Sequence, residues 1–187
     1  GQTAPVQSLA MPITIAGTAM QGFVTQSVDG RCLVVAGYAV PPYDALVAFQ
    51  TAVSAPRAVA RITLDGAIDA TTALTSTFSG GAGLAGEPIG AATIDGSSFW
   101  LSGSASAFQP GSRGLCHAVL GASTSTQLAT TPSSTRVVDI ANGQLLASTW
   151  FTPFVGVNTV GTGTPTTAGQ TVTLLPGLPG SNATPDP

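Results

Sequence analysis

The stretch Gly22-Phe-Val-Thr-Gln-Ser-Val-Asp-Gly-Arg-Cys-Leu-Val-Val-Ala-Gly-Tyr38 sets two short apolar runs around Asp29-Gly30. An Asp-Gly pair between such runs is the strongest short-range signal for a β-hairpin. The plan returns at Ala91–Gly103 around Asp95-Gly96 and at Thr135–Ser148 around Asn142-Gly143. A further hairpin is predicted from Ala58–Leu64 and Ala67–Leu74, turning at Asp65-Gly66. Self-similarity of this kind decides the fold class before any single residue does.

Taken in order, the predicted strands fall into three groups of four. The first holds Gly22–Val28, Arg31–Gly37, Ala58–Leu64 and Ala67–Leu74; the second Ile89–Ile94, Ser98–Gly103, Leu115–Leu120 and Ser125–Thr130. The third holds Thr135–Ile140, Gln144–Thr149, Phe154–Val160 and Gln170–Leu175. Four-stranded antiparallel units recurring every ~40–50 residues are the sequence sign of propeller blades. The expectation is an all-β, propeller-like chain of about three blades, with a β-sandwich as the alternative. A closed propeller takes at least about four blades, so three leave edges for a neighbour or a longer chain to cover. The domain is expected over residues 20–175, after an extended segment at 1–19 and before a Pro/Gly-rich tail at 176–187. Pro41-Pro42 and Pro56 mark a long loop, and the partly helical spacing of Tyr43, Leu46, Val47 and Phe49 allows a short helix over Tyr43–Thr51. The Gly-rich span Ser79–Gly90 reads as loop.

Charged residues make up only 7% of the chain, against roughly 25% in an ordinary soluble domain. Five arginines, no lysine and eight carboxylates give a net charge of −3, which argues against a basic footprint for nucleic acid or an anionic membrane. The apolar residues are spread over short strands, and no run approaches the ~18 needed to span a bilayer. Gly1 opens the chain without a signal peptide, which reads as a mature product or a fragment. Asn182-Ala-Thr184 is an N-glycosylation sequon in the tail. With the missing lysines and the Ser/Thr/Pro richness it points to a secreted or cell-surface glycoprotein.

No catalytic apparatus is visible. His117 is the sole histidine, without a CxxC, HExxH or second histidine to build a zinc site, and it reads as a strand residue. No G-x-S-x-G elbow selects a nucleophile. Asp29, Asp65 and Asp95 sit in turns, where Asp is favoured for its local hydrogen bonds. Asp65 and Asp69 lack a calcium-loop run, and Glu87 beside Pro88 has no evident partner. A glycosidase would need two carboxylates about 5–10 Å apart, which blade turns can supply only by converging. No cofactor or metal is implied. Trp100 and Trp150 are candidates for packing or for stacking on a sugar.

The run Asp29-Gly-Arg-Cys-Leu-Val-Val-Ala-Gly-Tyr38 resembles the DGRYLTLAGYD element of a mostly uncharacterised family of large secreted microbial and algal proteins. Leu120-Gly-Ala-Ser-Thr-Ser-Thr-Gln-Leu128 is similar to that family's LGATTSTQL, and Thr135–Leu145, Val157–Gly163 and Thr171–Gly177 continue the likeness in order. The resemblance implies a propeller-like fold and an extracellular setting, and supplies no catalytic residues. Cys32 and Cys116 stand where the family has aromatic or other apolar residues. In an oxidising compartment the two read as a disulfide, or else as two separate buried thiols.

Three functions follow as expectations. The first is a structural module of a surface filament, wall or matrix, binding copies of itself or another surface protein, with Pro12, Ile13, Thr14 and Ile15 as a strand donated to a neighbour. The second is a carbohydrate- or ligand-binding module of a larger secreted protein, and the third a glycan-active enzyme fragment.

Overall fold

The computed structural model describes residues 21–41, 46–109, 111–178 and 180–181. The candidate strand Pro12, Ile13, Thr14 and Ile15, the segment 1–19 and the sequon residue Asn182 lie outside them.

The described chain is all-β, with three four-stranded antiparallel sheets built from consecutive strands. The first comprises β1 (Val24–Gln26), β2 (Cys32–Tyr38), β3 (Arg57–Thr63) and β4 (Ile68–Leu74). The second comprises β5 (Glu87–Ala92), β6 (Ser98–Ser104), β7 (Gly114–Val119) and β8 (Thr126–Ala129). The third comprises β9 (Val138–Ala141), β10 (Gln144–Thr149), β11 (Gly156–Val160) and β12 (Val172–Leu174). Each sheet is a simple meander, the form of a propeller blade, and the two-sheet sandwich does not describe them.

Burial explains the order of the sheets. Successive residues of a strand point to opposite faces. In β6, Phe99 and Leu101 join a core with Val34, Ala36 and Val59 of the first sheet. The residue between them, Trp100, joins a core with Val138, Ile140, Leu145 and Ala147 of the third. The second sheet therefore lies between the other two and is apolar on both faces, and no core cluster joins the first sheet to the third. The first sheet also buries its far face, around Val35, Ala58 and Ala60. Only the third sheet alternates: along β10, Leu145, Ala147 and Thr149 are buried while Leu146 and Ser148 are half-exposed.

The turns are built as the sequence requires. At Asn142-Gly143 both residues take positive φ, 51° and 73°, the twist that a two-residue hairpin needs. At the Asp-Gly turns the carboxylate ties the loop to itself: Asp29 accepts from Ser27 Oγ and the Arg31 amide, and Asp95 from Ser97 Oγ and its amide. Adjacent blades are joined there too, since the Val28 and Asp29 amides donate to the carbonyls of Thr93 and Ile94 at 3.1 and 3.0 Å. The β1–β2, β3–β4, β5–β6 and β9–β10 turns thus lie at one end of the stack, the turn end. The described residues of the connections 39–41 and 46–56, 105–109 and 111–113, and 150–155 lie at the other, the loop end.

Three expectations are corrected. The helix over Tyr43–Thr51 reduces, among the described residues, to one 3-10 turn at Val47–Phe49. Its carbonyls are taken by other contacts: Ala48 O accepts from the Gly86 amide at 2.7 Å, and Gln50 O from the Gly80 amide and Arg57 Nη2. The loop Ser79–Gly90 ends early, because Glu87 and Pro88 already pair with Ser104 and Gly103 across a bulge. The disulfide is not formed, and both thiols are free and buried. Cys32 starts β2, its sulfur against the Gly96 backbone of the β5–β6 turn. Cys116 lies on β7, and both thiols are packed in the core between the first two sheets without a bond between them. Burial raises the Cys116 thiol to about 12, so it behaves as a small apolar residue. The start of the tail is held down, with the Val155 amide donating to Gly180 O at 3.4 Å and Leu178 beside Gly156.

Candidate functional site

Three surfaces and one buried group bear on function. At the turn end, the hairpin turns of two blades surround a cleft of about 530 Å³ lined by Asp29, Arg31, Arg61, Thr63, Asp65 and Asp95 among others. The turns that carry Asp29, Asp65 and Asp95 therefore face one cleft. Hydrogen bonds from Ser27, Thr63 and Ser97 hold the carboxyls of Asp29, Asp65 and Asp95 below the usual carboxylate range, and Thr71 does the same for Asp69. Arg61 bridges Asp69, at 3.3 Å, and the Gly96 carbonyl, at 3.4 Å. Among the described residues no cluster of His, Cys, Asp and Glu is arranged to hold a metal ion.

The two tryptophans take different roles. Trp100 is 3% exposed, donates its indole N–H to Pro165 O at 2.7 Å and stacks on His117. It is a packing residue between the second and third blades. Trp150 is 50% exposed at the loop end, stacked on Phe151 with centroids 4.6 Å apart and covered by the Arg136 guanidinium. It has the exposure that a contact with a sugar or a neighbouring chain requires.

His117 sits beside Trp100, and its Nε2 is buried without a hydrogen-bond partner. Burial lowers its pKa below 6.5. A base held neutral in the fold is protonated first in the unfolded chain, so stability is complete above pH ~6.5 and falls as pH drops below it. The turn carboxylates, with pKa values below the usual range, contribute only at lower pH. The urea midpoint is therefore expected to fall between pH 7 and 5, and His117→Leu to flatten that slope. An unchanged slope in the variant would assign the loss to another group.

The third surface is the outer face of the last sheet. Val137, Leu146 and Val157 line a shallow groove of about 320 Å³ there, with Ser148 and Asp139 beside them. The Ser148 hydroxyl already accepts from the Val137 amide, and one Asp139 oxygen from the Ile140 amide.

Sequence reasoning missed the buried side chain of Arg57. It is 1% exposed, and its guanidinium donates to the carbonyls of Ala55, Gln50 and Gly86 at 2.6–2.9 Å, beneath the ring of Tyr38. Its signal was an arginine heading the apolar strand Arg-Ala-Val-Ala-Arg-Ile-Thr63. Loss of water lowers its pKa to about 10, so it stays charged at neutral pH. The Tyr38 phenol, pushed up to about 12 by burial, stays neutral and donates to Gly86 O at 3.1 Å.

No protein-family model, curated protein or solved structure matches the chain. The fold defines it as an all-β chain of three propeller-like blades. No helix among the described residues is long and apolar enough to cross a membrane.

Proposed function

We propose that the chain is a structural module of an extracellular filament, wall or matrix, and that it associates with copies of itself through the uncovered face of β9–β12. One observation carries this reading. The first two sheets are buried on both faces, while the third presents Val137, Leu146 and Val157 outward from a sheet whose inner face is core. A blade face of this kind is ordinarily covered by the next blade, and a patch of aliphatic side chains there marks an interaction surface. Among the described residues Asp139 is the only charged group lining the groove, so a second copy of the same apolar face can be received with little charge repulsion. The likeness to a secreted family, the Asn182 sequon and the absence of lysine support the extracellular setting.

The test is sedimentation velocity in about 0.5 M NaCl, where charge contacts between exposed groups are screened and apolar contacts persist. The unaltered chain is expected to associate with rising concentration. Leu146→Asp and Val157→Asp should each weaken association at least about tenfold, equivalent to ~1.4 kcal/mol, with circular dichroism unchanged. That is just below the ~1.5–3 kcal/mol for fully burying one such side chain. Association unchanged in both variants would remove this face from the reading.

A further inference from the structure

The two ends of the blade stack differ in kind. At the turn end, Asp29, Asp65 and Asp95 are exposed around the cleft, and the carboxylate oxygen each leaves outside its own turn hydrogen bonds faces no cation across an ion pair. The single ion pair among the described residues is Arg61–Asp69, and Arg31 is the one unpaired guanidinium at this end. Leu64 and Val28 are 80% and 55% exposed at this end. The loop end also exposes apolar side chains but differs in charge. Phe108, Val53 and Trp150 are 74%, 77% and 50% exposed there. Arg113 and Arg136 stand beside the loops, half-buried, and neither pairs with a carboxylate among the described residues. Glu87 is the described carboxylate nearest this end, on β5 and half-buried.

The loop end is one continuous surface. The Gly80 amide donates to Gln50 O, the Ser106 amide to Ser79 O, and the Thr135 amide to Gly103 O, so the loops of all three blades are bonded together. Large apolar side chains on loop tips, fixed by such bonds, mark an interaction face. Charge then selects the occupant. Two loop ends would bring guanidiniums together and two turn ends would bring carboxylates together, while a loop end on a turn end sets unpaired guanidiniums against unpaired carboxylates.

We infer that copies of this chain stack head to tail, the loop end of one, led by Arg136, Trp150 and Arg113, on the turn end of the next at Asp29, Asp65 and Asp95. A heterologous contact of this kind extends an open filament unless its rotation closes a ring. This inference rests on the self-association proposed above but uses a different surface, so the two can fail separately.

The test uses the full chain carrying Leu146→Asp and Val157→Asp, which together weaken association through the last sheet, at about 50 mM NaCl, where charge contacts act over ~14 Å. This parent is expected to form linear oligomers that shorten as salt rises. One derivative adds Arg113→Gln and Arg136→Gln; the other adds Asp29→Asn, Asp65→Asn and Asp95→Asn, changes that keep the side-chain acceptor each turn needs. Each derivative alone should be monomeric with the parent's circular dichroism. Mixed, they retain one intact contact and should give a 1:1 heterodimer and nothing larger. A parent that is monomeric at low salt overturns the stacking and leaves association through the last sheet standing if the unaltered chain still assembles. Derivatives that assemble alone, or a mixture that stays monomeric beside an assembling parent, also overturn it. So does binding of the parent to phosphatidylcholine vesicles that Phe108→Ser abolishes without changing the oligomers, because the loop end would then be a lipid contact. If the unaltered chain is monomeric at both salt concentrations, self-association itself fails.

Discussion

Arg57→Ala is expected to destabilise the fold by about 2–4 kcal/mol, read as a loss of urea midpoint. The guanidinium donates to three carbonyls, those of Ala55, Gln50 and Gly86. Without it Ala55 O loses this donor, while Gln50 O keeps the Gly80 amide and Gly86 O keeps the Tyr38 hydroxyl. A buried acceptor left unmade costs ~1–3 kcal/mol, and the vacated space beneath Tyr38 adds a packing loss. Release of a buried cation offsets part of this, which keeps the net below the simple sum. Arg57→Lys should recover little, because one ammonium cannot reach three carbonyls with the geometry of a planar fork. Arg57→Met should recover the packing and not the hydrogen bonds. A loss below ~1 kcal/mol in the alanine variant would mean that water or a rearranged loop serves these carbonyls.

Gly86→Ala should cost on the order of 3 kcal/mol or more, the upper range for forcing atoms into a packed interior. A Cβ at this position would overlap backbone rather than movable side chain, meeting Phe78 O, Gly80 N and Ser79 C. The same residue supplies the carbonyl that both Arg57 and Tyr38 donate to, and its amide donates to Ala48 O. Gly86 and Arg57 therefore act on one node that joins the long loop of the first blade to the start of the second. The double variant Arg57→Ala/Gly86→Ala should lose clearly less than the two single losses added, because the second change acts on a node already broken. Strict additivity would show two independent sites.

What could be read from the residues was what depends on local pattern. β10 was predicted as Gln144–Thr149 and is found there, because one face is core and the other open, so its apolar residues alternate. β6 was found by its length and turn, since both its faces are core and its apolar run is continuous. The grouping into three blades followed from the recurring Asp-Gly and Asn-Gly turns. What escaped depends on partners distant in the chain. Nothing in the run Tyr43–Thr51 says that the carbonyls of Ala48 and Gln50 will accept from Gly86, Gly80 and Arg57, partners far along the chain. The pairing of Cys32 with Cys116 failed for the same reason, since compartment and parity say nothing of which blade strand each thiol occupies. The candidate surfaces were half visible. The turn aspartates were identified one by one, but that they ring one cleft depends on the bonds from Val28 and Asp29 to Thr93 and Ile94 across two blades. Trp100 and Trp150 could not be told apart, because which of them packs against the next blade is a matter of register.

Whether a third blade with an uncovered apolar face finds its neighbour in another copy is answered most directly by mass. Light scattering of the unaltered chain in about 0.5 M NaCl, where charge contacts are screened, separates the outcomes. A mass that rises with concentration above the 18.4 kDa of one chain is the predicted result. A constant 18.4 kDa at every concentration would show that the face of β9–β12 is content with water, and association through that face would be abandoned.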